Sequence, residues 1–461
     1  MSWQAIFTAM LPEHFLLAGI VVLIGLEIAP SRSRGAFAVA LLAVTAATAA
    51  AVWLSFIGHA SAPFPGQYSV DPVAALGKAI VLALAVLVLL IAHDEFGQRA
   101  FPILLLSSLY GICLLLSADS FLTLFLGLEL MSLPVYALVL LAFRRPESAE
   151  AALKYLVLGG TATATLLMGV SLLYGSSGSL ALSVFADALS STNTMAGVAV
   201  VLVVVGFFLK AAIVPFHAWA PDAYEAAAVP VTAYMAAIIK AGVLLAAVRL
   251  FDNAPLSRPM ADILAILPLL SIVWGNLAAM RQQSFRRMIG YSSIAHAGYL
   301  FYAFLGEGPG RFQAVAFYVL VYGLMNVLAF AALPQGPNDA ARDRLDNLKG
   351  LFRRDPFAAL MIGIAMLSLA GIPPFPGFIA KFLIFKNVIA AGFTLYAVLG
   401  LIGSYLGIYF YLRVIQYLFM SAEEPTAVQG APKRLALGAS FICLLAAILL
   451  AVFPGWVIGQ L

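Results

Sequence analysis

Apolar runs of about twenty residues follow one another along nearly the whole chain, and they leave few folds open. A helix of that length crosses the hydrocarbon core of a bilayer. In lipid every backbone polar group must be satisfied internally, so only helices and closed barrels cross. Barrel strands alternate in polarity, whereas these runs are continuous, and the chain reads as an all-α polytopic membrane protein. Composition supports this: 63% of residues are hydrophobic, 10% are charged, and the mean hydropathy is +1.03. A soluble domain with that balance would lack a polar surface. The N-terminus lacks the basic region and cleavage site of a signal peptide, so the first run reads as a retained helix.

Fourteen membrane segments are expected, at roughly 11–29, 35–57, 73–93, 100–117, 119–143, 148–175, 196–219, 228–250, 259–279, 284–306, 311–335, 356–390, 392–420 and 433–457. The twelfth is too long for one plain span and contains GIPPFPGF, which predicts a break. The segments divide into three N-terminal helices (1–99), a five-helix unit (100–250), a second such unit (259–420) and a C-terminal helix (433–457), all within one transmembrane domain. Five is odd, so a duplicated unit would be inverted in the membrane.

Orientation follows from loop charge. One set of loops holds Arg32, Arg34, Arg99, Arg144, Arg145, Arg281, Arg286, Arg287, Arg342, Arg344, Lys349, Arg353, Arg354, Lys433 and Arg434; the other holds only Arg249, Arg258 and Arg311. The first set therefore faces the cytoplasm, and an even helix count puts both termini on the outer side. The net charge of +4 speaks of topology and not of nucleic acid. The stretch 336–355 reads as a short amphipathic surface segment, and no loop is long enough to house a nucleotide, haem or iron–sulfur domain. Cys113 and Cys443 lie inside apolar runs and form neither a disulfide frame nor a metal-binding spacing.

Charges inside the apolar runs carry the function. Lys210, Lys240 and Lys381 lie too deep to reach an interface, and an ionisable group there marks an ion or proton path. Lys154 and Arg413 near cytoplasmic ends, and Lys386 near an outer end, can snorkel. Lys78, one to two turns inside its helix, is divided between the two readings. Glu129 is the acidic counterpart at depth. Beside a lysine it can be ionised, since a pair at 4 Å exchanges about 4 kcal/mol at an effective dielectric of about 20. Moving the carboxylate away favours release of the lysine's proton, so Glu129 with Lys210 is a workable switch. The bland alternative is a static ion pair joining two helices. Lys240 has no acidic partner evident in the sequence and reads as a relay.

Proline supplies the helix breaks, with Pro215 after Lys210 and Pro373, Pro374 and Pro376 before Lys381. Broken helices with a mid-membrane charge are the usual sign of a transport site. His296, in YSSIAHAGYLFY near Ser292, Ser293 and Tyr299, is either a relay or a packed, hydrogen-bonded ring. His217 is placed to feed Lys210 from the cytoplasmic side, and His14, His59 and His93 read as interfacial.

These contexts resemble a known family. Glu129 in LELMSLPVYAL, Lys210 in FFLKAAIVPFHAWAPDAYEAA, Lys240 in AAIIKAG, Lys381 in SLAGIPPFPGFIAKFLIF and the stretch RRMIGYSSIAHAGYL are similar to the antiporter-like membrane subunits of proton-pumping NADH:quinone oxidoreductase, respiratory complex I. The resemblance runs from about 70 to 420. ALKYLVLGGTATATLLMGVSLLYGSSG, RLDNLKGLFRRDPFAAL, a lysine at 381 and a chain that stops after its fourteenth segment look most like the N-type members. The resemblance implies a chain of protonatable sites, Glu129 with Lys210, then Lys240, then Lys381. It implies a bacterial inner-membrane location and other membrane-arm subunits as partners, including neighbouring antiporter-like ones. It also implies that NADH, FMN, iron–sulfur clusters and quinone belong to other subunits, with no cofactor on this chain. Alternatives are a cation/proton antiporter subunit, a subunit of a membrane-bound hydrogenase or ferredoxin-linked complex, and a spacer whose charges are idle.

Overall fold

The computed structural model describes residues 3–28, 35–95, 100–142, 146–191, 193–251, 256–306, 310–334, 344–420 and 434–461. Of the loop cations that set the expected orientation, Arg32, Arg34, Arg99, Arg144, Arg145, Arg342 and Lys433 lie outside the described residues, as does the first part (336–343) of the 336–355 stretch.

The chain is helical almost throughout. In order come α1 (Trp3–Ala9), α2 (Leu11–Ile28), α3 (Ala36–Phe56), a two-stranded antiparallel hairpin of β1 (Ser61–Phe64) and β2 (Tyr68–Val70), α4 (Pro72–Glu95), α5 (Ala100–Leu116), α6 (Phe121–Leu140), α7 (Pro146–Ser177), α8 (Ser183–Ser190) and α9 (Thr194–Ala211). Then follow α10 (Trp219–Ala226), α11 (Val229–Tyr234), a π-helical turn at Met235–Ile239, α12 (Lys240–Leu250), α13 (Arg258–Ala279), α14 (Phe285–Tyr302) and α15 (Gly310–Ala331). The remainder is α16 (Leu351–Arg354), α17 (Pro356–Ala370), α18 (Pro376–Ala390), α19 (Thr394–Phe419), α20 (Arg434–Val452) and α21 (Pro454–Gln460).

Among the described residues eleven helical stretches are long and apolar enough to cross a membrane, and α5 and α17 are shorter apolar helices. The expected segment 284–306 is α14, buried along nearly its whole length but carrying two arginines, two serines and His296. Outward-facing side chains such as Leu17, Val21, Leu42, Phe56, Leu395 and Ile402 are apolar and exposed, as a lipid-facing surface requires. The chain is a multi-pass helical membrane protein.

Packing divides it into two compact units. The first holds Met1–Leu89, Phe96–Ala211 and Ile238–Met260; the second holds Leu90–Glu95, Ala212–Ala237 and Ala261–Leu461. In the first unit α5 packs along α6, and α7 along α9. Gly159 on α7 makes one approach possible, since a Cβ there would overlap the hydroxyl of Tyr136 on α6. In the second unit α17 and α18 pack with α15 and α19.

Both expected breaks are present, and proline chemistry sets where they fall. A proline lacks the N–H that would bond the carbonyl four residues earlier. Pro215 therefore leaves the Ala211 carbonyl without its helical donor, and α9 ends at Ala211 instead of running to 219. The next residue, Ala212, has φ +62°. Pro374 does the same to Ala370, the last residue of α17. Gly371 follows in the left-handed region at φ +81°, a conformation that favours glycine.

Candidate functional site

In the first unit Glu129, Ser132, Thr163 and Lys210 converge from three helices. Glu129 and Ser132 lie three residues apart on α6 and so share a face. Lys210 is the penultimate residue of α9, beside the break. Its ammonium lies 3.1 Å from Glu129 Oε1 and 3.1 Å from Ser132 Oγ. The Thr163 hydroxyl of α7 donates to the same carboxylate oxygen. The lysine side chain is only 4% exposed and the glutamate 22%, so the pair is shielded, with the carboxylate closer to an opening. Pro134 interrupts the α6 ladder just beyond, and Ser108 of α5 donates to the Met131 carbonyl at 2.8 Å.

Lys240, also in the first unit, is buried at the first residue of α12. The π-helical turn Met235–Ile239 immediately precedes it. Such single π turns are frequent at functional positions.

In the second unit Lys381 reaches from α18 back to the break. Its ammonium is 3.0 Å from the Ala370 carbonyl and 3.0 Å from Ser404 Oγ of α19, and 4.9 Å from the centre of the Tyr299 ring. The carbonyl freed by Pro374 is thus the one the lysine takes, where the negative end of a helix dipole favours a cation. A cavity of about 450 Å³ opens beside the ammonium, lined by Phe378, Phe382, Phe385, Ser404 and Tyr405.

His296 sits in the same unit inside a hydroxyl network. Its Nε2 is 3.0 Å from the Tyr411 hydroxyl and its Nδ1 2.8 Å from that of Tyr318. Ser292 Oγ is 2.5 Å from Tyr411. Tyr299 packs edge-on against His296, with ring centres 5.6 Å apart, and its hydroxyl accepts from Asn276 at 3.1 Å. Tyr299 therefore touches both the histidine and the Lys381 ammonium. His217 follows the first break, where the Trp274 indole N–H donates to its Nε2 at 2.9 Å.

Several polar groups have partners that the sequence did not signal. Arg286 is wholly buried in the first turn of α14 and donates to the Ala227 carbonyl at 2.5 Å, so it is not a loop residue. Its neighbour Arg287 is paired with Asp222 at 2.7 Å and Glu225 at 2.9 Å. Lys154, by contrast, is exposed and pairs with Glu150 one turn away. Thr163 and Ser132 carry no sequence signal, since hydroxyls on apolar helices usually bond their own backbone. Among the described residues no three His, Cys, Asp or Glu side chains gather as a metal site.

A shielded carboxylate–lysine pair, two further buried lysines and two proline-broken helices define an antiporter-like membrane protein. The family described as "NADH:quinone oxidoreductase/Mrp antiporter, TM" matches residues 118–407, which include Glu129 and all three buried lysines just described. Relatives named NADH-quinone oxidoreductase subunit N are 40% identical in Pelobacter propionicus (90% of this chain, 89% of the relative) and 36% identical in Geobacillus kaustophilus (98% and 96%). The chain belongs to that subunit N family. A chain of respiratory complex I from Thermus thermophilus superposes with a TM-score of 0.85 at 36% identity, covering 97% of this chain and 98% of the other. A chain of the Mrp complex from Dietzia sp. gives 0.87 at 22% identity (100% and 96%), which is a likeness of fold.

Proposed function

We propose that this chain is a proton-translocating subunit in the membrane arm of a bacterial NADH:quinone oxidoreductase. Redox energy released in other subunits, which hold the flavin, the iron–sulfur clusters and the quinone site, reaches it as a push on Glu129. Lys210 then passes its proton to Lys240 and onward to Lys381, with His296 and Tyr299 serving the last part of the path and His217 the cytoplasmic approach. The finer architecture belongs to the same reading: fourteen spans, two inverted five-helix repeats (100–250 and 259–420), both termini on the outer side, and neighbouring antiporter-like subunits as partners.

The observation that carries this reading is the Glu129–Lys210 pair at 3.1 Å beside a helix break. At an effective dielectric of about 20 its attraction is about 5 kcal/mol, falling to about 3 kcal/mol if the charges move to about 6 Å. The difference is close to the cost of moving one charge against the membrane potential, about 2.3 kcal/mol per 100 mV. A shift of a few ångströms at Glu129 therefore eases release of the Lys210 proton by about 2–3 kcal/mol, enough to offset one charge moved against about 100 mV. The test is Glu129→Gln and Lys381→Ala in the assembled complex, with electron transfer and proton uptake recorded separately. Loss of pumping in both is expected; normal pumping in both would end the proposal.

A further inference from the structure

Glu13 and Lys78 form another buried carboxylate–lysine pair, which the relay above does not use. Glu13 lies in the first turn of α2 and Lys78 in the second turn of α4. Their side chains are 1% and 0% exposed, and Lys78 Nζ is 2.7 Å from Glu13 Oε1. Tyr68, on the hairpin strand β2, joins them: its hydroxyl donates to Glu13 Oε1 at 2.7 Å and accepts from Lys78 at 2.8 Å. Glu13 Oε2 is buried with no hydrogen-bond partner. The other titratable groups facing the pair are Tyr110 and Cys113 of α5; His14, next in sequence, stacks on Phe7.

Removing two charges from water costs several kcal/mol each, and an apolar pair of similar size would anchor the helices as well. An anchor also gains nothing from an orphaned carboxylate oxygen, which is itself costly. We infer that Glu13, Tyr68 and Lys78 form a second proton-holding site, placed at the end of the first unit where α2 and α4 begin. Burial and the Glu13 charge hold the Tyr68 hydroxyl well above its usual range, so it stays protonated and works as a bridge. Tyr68 hands its proton to Glu13 as it takes one from Lys78. An ammonium and a carboxylate become an amine and a carboxylic acid, with protons and net charge conserved. Oε2, which has no donor, is the atom at which a proton enters or leaves. As a step in pumping the triad rests on the reading proposed above; as a site that holds a proton it does not.

The test is a pH-difference infrared spectrum of the purified complex carrying Glu13→Gln, with Tyr68→Phe as the milder variant that keeps the ring. A titrating carboxyl band that vanishes in Glu13→Gln and shifts in Tyr68→Phe is expected, together with fewer protons pumped per electron and recovery in Glu13→Asp. No such band, or spectra and pumping like wild type in both variants, overturns the inference. Should Glu13→Gln fail to assemble, Tyr68→Phe decides by the same band. Normal pumping in Glu13→Gln with loss in Lys210→Ala removes the triad from the path and leaves the relay standing. Normal pumping in Lys210→Ala removes the relay, and the infrared band then decides for the triad alone.

Discussion

Removing one member of the Glu129–Lys210 pair and removing both should have different consequences. Glu129→Leu leaves Lys210, 4% exposed and still beside Ser132, to hold an uncompensated ammonium or give up its proton at a cost, whereas Lys210→Met leaves a carboxylate 22% exposed that keeps the Thr163 hydroxyl. Stranding a buried charge typically costs about 3–5 kcal/mol, so Glu129→Leu is expected at the upper end and Lys210→Met below it. The double variant Glu129→Leu/Lys210→Met strands nothing, and an apolar replacement of a buried pair is often neutral. The two single effects together should therefore exceed the double effect by several kcal/mol, at least the attraction of about 5 kcal/mol at 3.1 Å. The assay is the yield and thermal unfolding of the assembled complex for the four members of the cycle. Proton pumping should stay absent in the double variant although assembly returns. Additive losses, or a worse effect from Lys210→Met than from Glu129→Leu, would refute the reasoning.

Thr163→Val keeps the shape of the side chain but removes a donor to Glu129; a hydrogen bond to a charged group contributes about 1.5–3 kcal/mol, so coupled electron transfer should slow about tenfold or more while uncoupled transfer persists. Gly371→Ala forces an L residue to φ +81°, at about 1–2 kcal/mol, and sets a Cβ 2.9 Å from Lys381 Cδ. It should lower the yield of complex and abolish pumping in what assembles, measured as proton uptake per electron.

The buried charges were legible because charge is conspicuous in apolar sequence. Lys210, Lys240, Lys381 and Glu129 stood out by depth alone, and Pro215 and Pro374 marked the breaks within a few residues. Proline's missing N–H acts locally, so its effect is readable from the chain; what the freed Ala370 carbonyl bonds to is not. The same limit hid the Glu13–Lys78 pair. Each residue lies close to a helix end, where a charge ordinarily finds water, and it is the tertiary fold, with Tyr68 of the hairpin bonded to both, that leaves them 1% and 0% exposed. The hairpin itself has no alternating pattern long enough to signal strands, and the π turn before Lys240 consists of ordinary helix-compatible residues. Arg286 and Arg287 counted as loop cations because they adjoin polar sequence, yet α14 begins before them.

What Lys210 does during turnover bears most directly on the relay. The measurement is the number of protons translocated per electron by the complete complex in sealed vesicles, comparing Lys210→Ala with wild type while electron transfer to quinone is followed in the same sample. The ratio should fall in the variant, and electron transfer should continue once the membrane is uncoupled. An unchanged ratio in an assembled Lys210→Ala complex would contradict the account.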